Sequence, residues 1–380
     1  MVPDLCAESA WQIATGGPWP EPSQYVGDER VMAQAVKGSL EGIGLSSPNP
    51  SVCCILIKDG RAIGTGVHKR AGGPHAEVLA IRDAQQNGES TDGATACLTL
   101  EPCCHFGRTP PCTDALLQAG IKRAVVGARD QNPRVAGGGL AVLRANGVEV
   151  AEGVLGDACI RLHAPFFKLV KTGLPWVMLK MALGSDGAVG PKGKRVNVTP
   201  KGIQELAHAL RRASDGIMVG RNTIAVDDPI LADRWPARTE PHRVFHRIVL
   251  DSRAQLSDAY KIWQRVDGHS AMRALTVGAD PINGVEDLRL PPGPGGCSLR
   301  HLLIELGLRG LNRLLAEGGP TLARQLLNEN LVDVLHIFRS TKPAGGNAVM
   351  LDTTRFGKPA MQAGFDGGVW EVWERVQVAA

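Results

Sequence analysis

Aromatic residues are scarce in this 380-residue chain: two tyrosines, seven phenylalanines and seven tryptophans, 4% in all. Proteins that hold single-stranded nucleic acid interleave aromatics with a basic face, so the shortage argues against that class. Charge agrees. With 42 basic and 38 acidic residues interspersed, the net charge is +4, a balance that suits an anionic small molecule and makes no case for nucleic acid. No run approaches the roughly 18 apolar residues of a membrane span, so no membrane partner is expected. The first 24 residues carry Asp4, Glu8, Glu21 and several prolines, with no basic start and no apolar stretch. That pattern is unlike a signal or transit peptide and predicts a cytoplasmic protein. No Gly-x-Gly-x-x-Gly follows a strand, which argues against a Rossmann-type dinucleotide site.

What is present reads as two α/β units of ordinary size behind a tail: residues 1–24, 25–172 and 173–380. In the first unit, 51–58 (SVCCILIK) and 61–68 (RAIGTGVH) flank Asp59-Gly60, a hairpin signal. Helical spacing over 75–87 stops at Gly88, and a strand at 94–100 runs into Glu101-Pro102-Cys103. Helices at 113–119, 139–146 and 157–171 alternate with strands at 123–128 and 148–151, which predicts a layered α/β domain. In the second unit, strands are expected at 176–182, 216–220, 246–251, 273–277, 311–316, 332–339 and 369–378. Helices are expected at 200–213, 299–308 and 320–329. The Gly/Pro-rich stretch 283–297 reads as a surface loop.

The nine cysteines cluster, at Cys53-Cys54 and at Cys103-Cys104-Cys112, and in a reducing setting clustered thiols suggest metal or buried thiols before disulfides. His75 and Glu77 open one helix, while Cys103 and Cys112 bracket the approach to another. A hydrolytic zinc site needs three protein ligands and an open position for water, and one imidazole with two thiolates supplies the three. Glu77 beside them suits a proton shuttle for attack on a ring carbon bearing an amine. Zinc lowers the pKa of water from about 15.7 to about 7, worth on the order of 12 kcal/mol in hydroxide availability. The eight residues between the cysteines exceed the short Pro-Cys-x-x-Cys form, and the bland alternative is a structural site closed by His105 as fourth ligand. Cys53, Cys54, Cys97, Cys159 and Cys297 read as core, and Cys104 as packing.

Asn49-Pro50, HKRAGGPHAE (68–77), LEPCCHFGRTPPC (100–112) and DQNPRVAGGG (130–139) together resemble the bifunctional riboflavin-biosynthesis deaminase–reductases. The resemblance continues through Leu179-Lys180, Ser185-Asp186-Gly187, GRNT (220–223), DDPIL (227–231), LDS (250–252) and AEGGPTLARQLL (316–327), so that it spans roughly residues 25–375. It implies a three-layer, cytidine-deaminase-like domain followed by a dihydrofolate-reductase-like domain, with Zn2+ and NADPH as cofactors and a phosphorylated pyrimidine as substrate. His75, Cys103 and Cys112 would hold zinc, Glu77 would be the acid/base, and Asn49 and His68 would line the pocket, with Arg108 toward phosphate. In the second domain Lys180, Arg211, Leu231, Arg234 and Glu317 would hold the ribose phosphate. Ala182, Thr223, Asp227, Ser252 and the run Gly319, Pro320, Thr321, Leu322, Ala323, Arg324 and Gln325 would contact NADPH. The family also implies a homo-oligomer.

The chain departs from that family's pattern in places. Cys53 stands where glycine is usual and is expected to narrow the pocket; Phe106 replaces a histidine, and Gly138 an arginine. In GPKGKRVNVT (190–199), Arg195 and Asn197 stand at the places of a serine and a tryptophan. Two other classes of function stay open on the residues alone: a deaminase that edits nucleic acid, and a second domain that serves only as a scaffold.

Overall fold

The computed structural model describes residues 7–106, 110–132, 135–191, 201–233, 243–346, 353–365 and 367–375. The chain forms two compact units. One spans Thr15–Gly173; the other spans Leu174–Ala380, and residues up to Ala14, most of helix α1 (Ala7–Thr15), group with it. Among the described residues no helix is long and apolar enough to cross a membrane.

In the unit Thr15–Gly173, helix α2 (Gly27–Ser39) precedes a hairpin of β1 (Cys53–Lys58) and β2 (Arg61–Val67). Asp59 and Gly60 both take positive φ, 51° and 75°, the turn whose twist matches paired strands. Then come α3 (Ala76–Gln86), β3 (Thr95–Leu100), α4 (Cys112–Gln118), β4 (Arg123–Ala128), α5 (Gly138–Ala145), β5 (Glu149–Glu152) and α6 (Gly156–Thr172). The sheet runs β2-β1-β3-β4-β5; β1 is antiparallel to both its neighbours, while β3, β4 and β5 are parallel. Helices α2 and α6 pack together on one face and α3, α4 and α5 on the other. The alternation of a strand sends Cys53 toward α2 and Cys54 toward α3. Helix α2 was not expected from the sequence; it buries Met32, Ala33, Ala35 and Val36 under the sheet.

The approach of α3 to β2 is unusually close. A Cβ on Gly66 would lie 2.2 Å from the carbonyl of Ala76 and 2.4 Å from the amide of Ala80, and one on Gly64 would lie 2.3 Å from the carbonyl of Ala80. Only glycine lets the backbone carrying His75 and Glu77 settle onto the sheet.

The second unit is built on nine strands. They are β6 (Trp176–Leu183), β7 (Gly216–Gly220), β8 (Phe245–Leu250), β9 (His269–Leu275), β10 (Val285–Arg289), β13 (Arg313–Glu317), β14 (Val334–Ser340), β15 (Met361–Phe365) and β16 (Gly368–Glu374), with a two-residue ladder of β11 (Pro292–Gly293) and β12 (Gly296–Cys297) beside them. Helices α7 (Lys201–Arg212), α8 (Arg221–Asp227), α9 (Leu299–Leu308) and α10 (Pro320–Asn328) connect them. The order is β10-β9-β8-β7-β13-β6-β14-β16-β15; the first seven are parallel, and β16 is antiparallel to both its neighbours, β14 and β15. Leu179, Met181, Leu314, Ala316, Leu335 and Ile337 face Leu302, Leu306, Leu322 and Leu326 in one core.

The stretch 283–297 is not the loop expected of it. Val285–Arg289 adds an edge strand to β9, and of its side chains only Leu288 is buried, because an edge strand bordered by Gly and Pro needs little apolar surface. Helix α8 was also unforeseen.

The chain leaves β7 toward β8 on one side and leaves β13 toward β14 on the other. In open parallel sheets such a reversal opens a crevice outside the carboxyl ends of the two strands.

Candidate active sites

His75 stands at the N-cap of α3 with extended backbone, φ −74° and ψ 165°. Cys103 follows β3 and Cys112 opens α4. His75 Nδ1 lies 3.1 Å from Cys112 Sγ and 3.6 Å from Cys103 Sγ. The amide of Cys112 donates to Cys103 Sγ at 3.4 Å. All three donor atoms fall within 4.8 Å of one another, and this is the one such group among the described residues. Tetrahedral zinc with its usual bond lengths sets N···S separations at about 3.5 Å, so the donor set fits zinc in chemistry and spacing. His105 falls outside the group. A closed site with four protein ligands is not what the residues form.

Glu77 is 4% exposed, and burial raises its carboxyl above the ordinary value. The hydrogen bond from the Cys112 thiol and the neighbouring His75 draw the Cys103 thiol well below its usual range. Its partner Cys112 keeps the proton and is pushed up. Zinc takes these donors deprotonated, so its binding would displace the protons still held by the histidine–cysteine group. His68 meets His75 edge-on, ring centroids 5.1 Å apart. Its Nδ1 donates to the carbonyl of Pro74 at 2.9 Å, which leaves Nε2 to accept from Asn49 Nδ2 at 3.0 Å. Burial lowers the His68 pKa, so the ring stays neutral with one fixed tautomer and orients Asn49.

Glu101 went unremarked in the sequence although it directly precedes Pro102-Cys103. It is 3% exposed and accepts four backbone N–H bonds: Oε1 from Gly139 and Leu140, Oε2 from Asp130 and Gly137. One carboxylate thereby ties the 130–140 segment to the cysteine segment. The packing is close, since a Cβ on Gly139 would lie 2.0 Å from the carbonyl of Pro102, and one on Gly138 would lie 2.9 Å from Cys104 Sγ. Cys104 therefore occupies the space beside Gly138. Cys53 does not narrow the pocket: its sulfur packs against Gly38 of α2, on the far face of the sheet. Arg108 lies outside the described residues.

In the second unit, Lys180 and Glu317 are register partners on β6 and β13, at the carboxyl end of the sheet. Arg211, in the last turn of α7, donates to Glu317 Oε2 at 3.2 Å. Burial alone would raise the Glu317 carboxyl, but Arg211 and Lys180 outweigh it and hold the pKa below the ordinary value. Among the described residues Glu317 Oε1 and Arg211 Nε are buried with no hydrogen-bond partner, which gives the cluster capacity to spare for a ligand. Leu231 sits in the left-handed region at φ 53°. Arg234 and residues 192–200, which hold Arg195, Asn197 and most of the altered segment 190–199, lie outside the described residues.

Gly319 caps α10 with extended backbone and Pro320 at the first turn, and no side chain caps that end. Its first amides point outward, as an anion site requires. Gly318 lies beside the amide of Gly220 at the end of β7, 3.9 Å from its own missing Cβ, so this cradle sits at the strand reversal. Thr223 and Asp227 share one face of α8, and Asp227 Oδ1 is buried without a partner. Thr321 and Arg324 are exposed, whereas Leu322 and Ala323 are core and offer a ligand only backbone. Gln325 bonds Glu329, and Ser252 Oγ accepts from the amide of Cys297. Ala182 is half-buried on β6. An uncapped helix end and a glycine cradle fit a dinucleotide phosphate, and the Asp227 oxygen suits a hydroxyl donor such as a ribose of the same ligand.

Residues 26–128 match the cytidine and deoxycytidylate deaminase zinc-binding region, and residues 175–363 match the RibD C-terminal domain. Riboflavin biosynthesis protein RibD of Escherichia coli (strain K12) is 37% identical over 331 residues, 84% of this chain and 89% of that protein. The chain belongs to the RibD family. The RibD of Actinobacillus pleuropneumoniae is 35% identical over 329 residues. Among solved structures, the Thermotoga maritima diaminohydroxyphosphoribosylaminopyrimidine deaminase/5-amino-6-(5-phosphoribosylamino)uracil reductase superposes with a TM-score of 0.82 at 32% identity. It covers 92% of this chain and 98% of its own. Form 1 of Acinetobacter baumannii RibD gives a TM-score of 0.78 at 31% identity, covering 94% and 100%. The chain is thus a bifunctional deaminase–reductase of riboflavin biosynthesis, with zinc serving its first domain and NADPH its second.

Proposed function

We propose that the first unit replaces an exocyclic amine of 2,5-diamino-6-ribosylamino-4(3H)-pyrimidinone 5′-phosphate with oxygen from water, releasing ammonia. The second then reduces the ribosyl chain of that product to ribityl. The observation that carries the first step is the gathering of His75 Nδ1, Cys103 Sγ and Cys112 Sγ within 4.8 Å beside buried Glu77. When bound, zinc supplies Lewis-acid activation of water. Glu77 would carry a proton from the attacking water to a ring nitrogen and then to the departing amine. Its raised pKa brings it closer to an exchange of protons at neutral pH. Asn49, oriented by His68, holds the pyrimidine edge.

In the reductase, bound NADPH would supply hydride to the sugar carbon in its open-chain or imine form, with a proton from water completing the reduction. Lys180 and Arg211 hold the ribose phosphate by charge-assisted bonds, and Glu317 keeps both cations in place. Leu231 adds to the substrate wall, the family resemblance assigns Arg234 to the same substrate, and Thr223, Asp227, Ser252 and the α10 entrance hold the cofactor. Catalysis there is mainly positioning of the two reactants. We also infer a cytoplasmic homo-oligomer.

The test is the purified chain with zinc and the diaminopyrimidine. Ammonia release that falls about 10²–10⁴-fold in Glu77→Gln, with zinc retained, supports the reading. Undiminished release in that variant overturns it. NADPH oxidation by the deaminated product separates a working reductase from a scaffold.

A further inference from the structure

The reductase site stands on a bend and a helix end that come from distant parts of the chain, and one buried arginine touches both. Arg243, just before β8, has a side chain 8% exposed. Its Nη2 donates to the carbonyls of Arg211 at 2.9 Å, Arg212 at 3.2 Å and Ser214 at 2.8 Å. Arg211 and Arg212 end α7 and Ser214 follows it; the Arg211 carbonyl also accepts from the Ser214 amide at 3.1 Å. Its Nη1 pairs with the Asp233 carboxylate, and its guanidinium lies 5.2 Å from the centroid of the Phe245 ring.

Asp233 belongs to the bend that contains Leu231. Leu231 holds a left-handed φ of 53° while 8% exposed. For a leucine that conformation persists only where the surroundings impose it. The imposing contacts flank it on both sides. Arg247, on β8, donates to the carbonyl of Ile230 at 3.3 Å, and His269 Nε2 accepts from the amide of Asp233 at 3.0 Å. Arg243 adds the ion pair to Asp233 and links this bend to the turn of α7 bearing Arg211, beside the longer contact that Arg212 of α7 makes with the same carboxylate at 3.9 Å.

We propose that Arg243 is a positioning residue of the reductase, fixing Arg211 and the Leu231 bend in one geometry so that both meet the substrate's ribose phosphate. This rests on the substrate-site reading given above. A planar guanidinium can serve three carbonyls and a carboxylate at once, whereas an ammonium at the same point cannot match that fork. Arg243 does not touch the substrate; it acts through the residues that do.

The test is Arg243→Lys in the full chain, with Asp233→Asn as a second variant that breaks the link from the other side. Both are assayed by NADPH oxidation with the deaminated product. KM for that product is expected to rise roughly tenfold, with kcat within about twofold and NADPH affinity and deaminase turnover unchanged. Combining Arg243→Lys with Arg211→Ala should add much less than the product of the single effects, because one acts through the other. An unchanged KM in folded Arg243→Lys and Asp233→Asn overturns the proposal. So does a fully multiplicative double variant, or a parallel loss of kcat, NADPH binding and thermal stability. If Arg211→Ala itself leaves KM unaltered, the substrate-site reading fails instead.

Discussion

Gly66 offers a direct test of how the deaminase centre is held. Alanine at that position puts a Cβ 2.2 Å from the carbonyl of Ala76, the residue between His75 and Glu77, where ordinary contact begins at 3.4 Å. Helix α3 must therefore retreat by about 1.2 Å at its first turn. The second close atom, the amide of Ala80 at 2.4 Å, lies one turn along the same helix, so tilting α3 about its start cannot relieve the clash. The obstacle is backbone on both counts and has no rotamer to change. Overpacking of this kind costs about 1–3 kcal/mol of stability, which a folded domain can survive. Misplacing a catalytic group by about 1 Å costs on the order of 10²-fold in rate. Gly66→Ala should thus lower deaminase kcat about a hundredfold and weaken zinc retention. NADPH oxidation with the deaminated product should stay as it was, because that chemistry belongs to the other unit. The assay is ammonia release and metal content on one sample, alongside thermal unfolding. Full deaminase activity with full zinc occupancy would refute the argument that the glycines of β2 seat the catalytic helix.

Glu101→Gln replaces an acceptor oxygen by an NH2 group and strands two of the four buried amides that the carboxylate serves. At about 1–3 kcal/mol for each, the deaminase unit should lose roughly 2–6 kcal/mol, seen as a lower unfolding midpoint whichever oxygen is replaced. Arg211→Met leaves Glu317 buried with only Lys180 and His208 beside it, a loss on the order of 3 kcal/mol at neutral pH. In the parent chain the Glu317 pKa is held below 4.5, so the pair's contribution is complete above that pH and fades as pH falls. Without Arg211, burial pushes the same carboxyl up and penalises the ionised form. The difference in unfolding temperature should accordingly be widest near pH 7 and close as pH falls through the lowered Glu317 pKa. A gap independent of pH would show that the ion pair is not its source.

Much of this protein is written in local pattern. The hairpin at Asp59-Gly60, the strands at 123–128 and 216–220 and the helix at 299–308 follow from turn chemistry and periodicity, which act between near neighbours. His75, Glu77, Cys103 and Cys112 were legible too, because metal chemistry admits few residue types and the motif places them at element ends. Short or weakly apolar elements were not: α8, and the edge strand 285–289, owe their form to neighbours far along the chain. The four amides gathered by Glu101 and the three carbonyls gathered by Arg243 leave no periodic trace, since each joins segments about thirty residues apart. The sequence by itself determined which atoms could bind a metal or a phosphate. Only the tertiary structure decided their distances: whether His105 joins the metal group, whether Cys53 faces the pocket, and which strand ends meet at the reversal between β7 and β13. Those depend on which face of a sheet a side chain takes and how nearly a helix can approach it, and both are settled by packing across the whole domain.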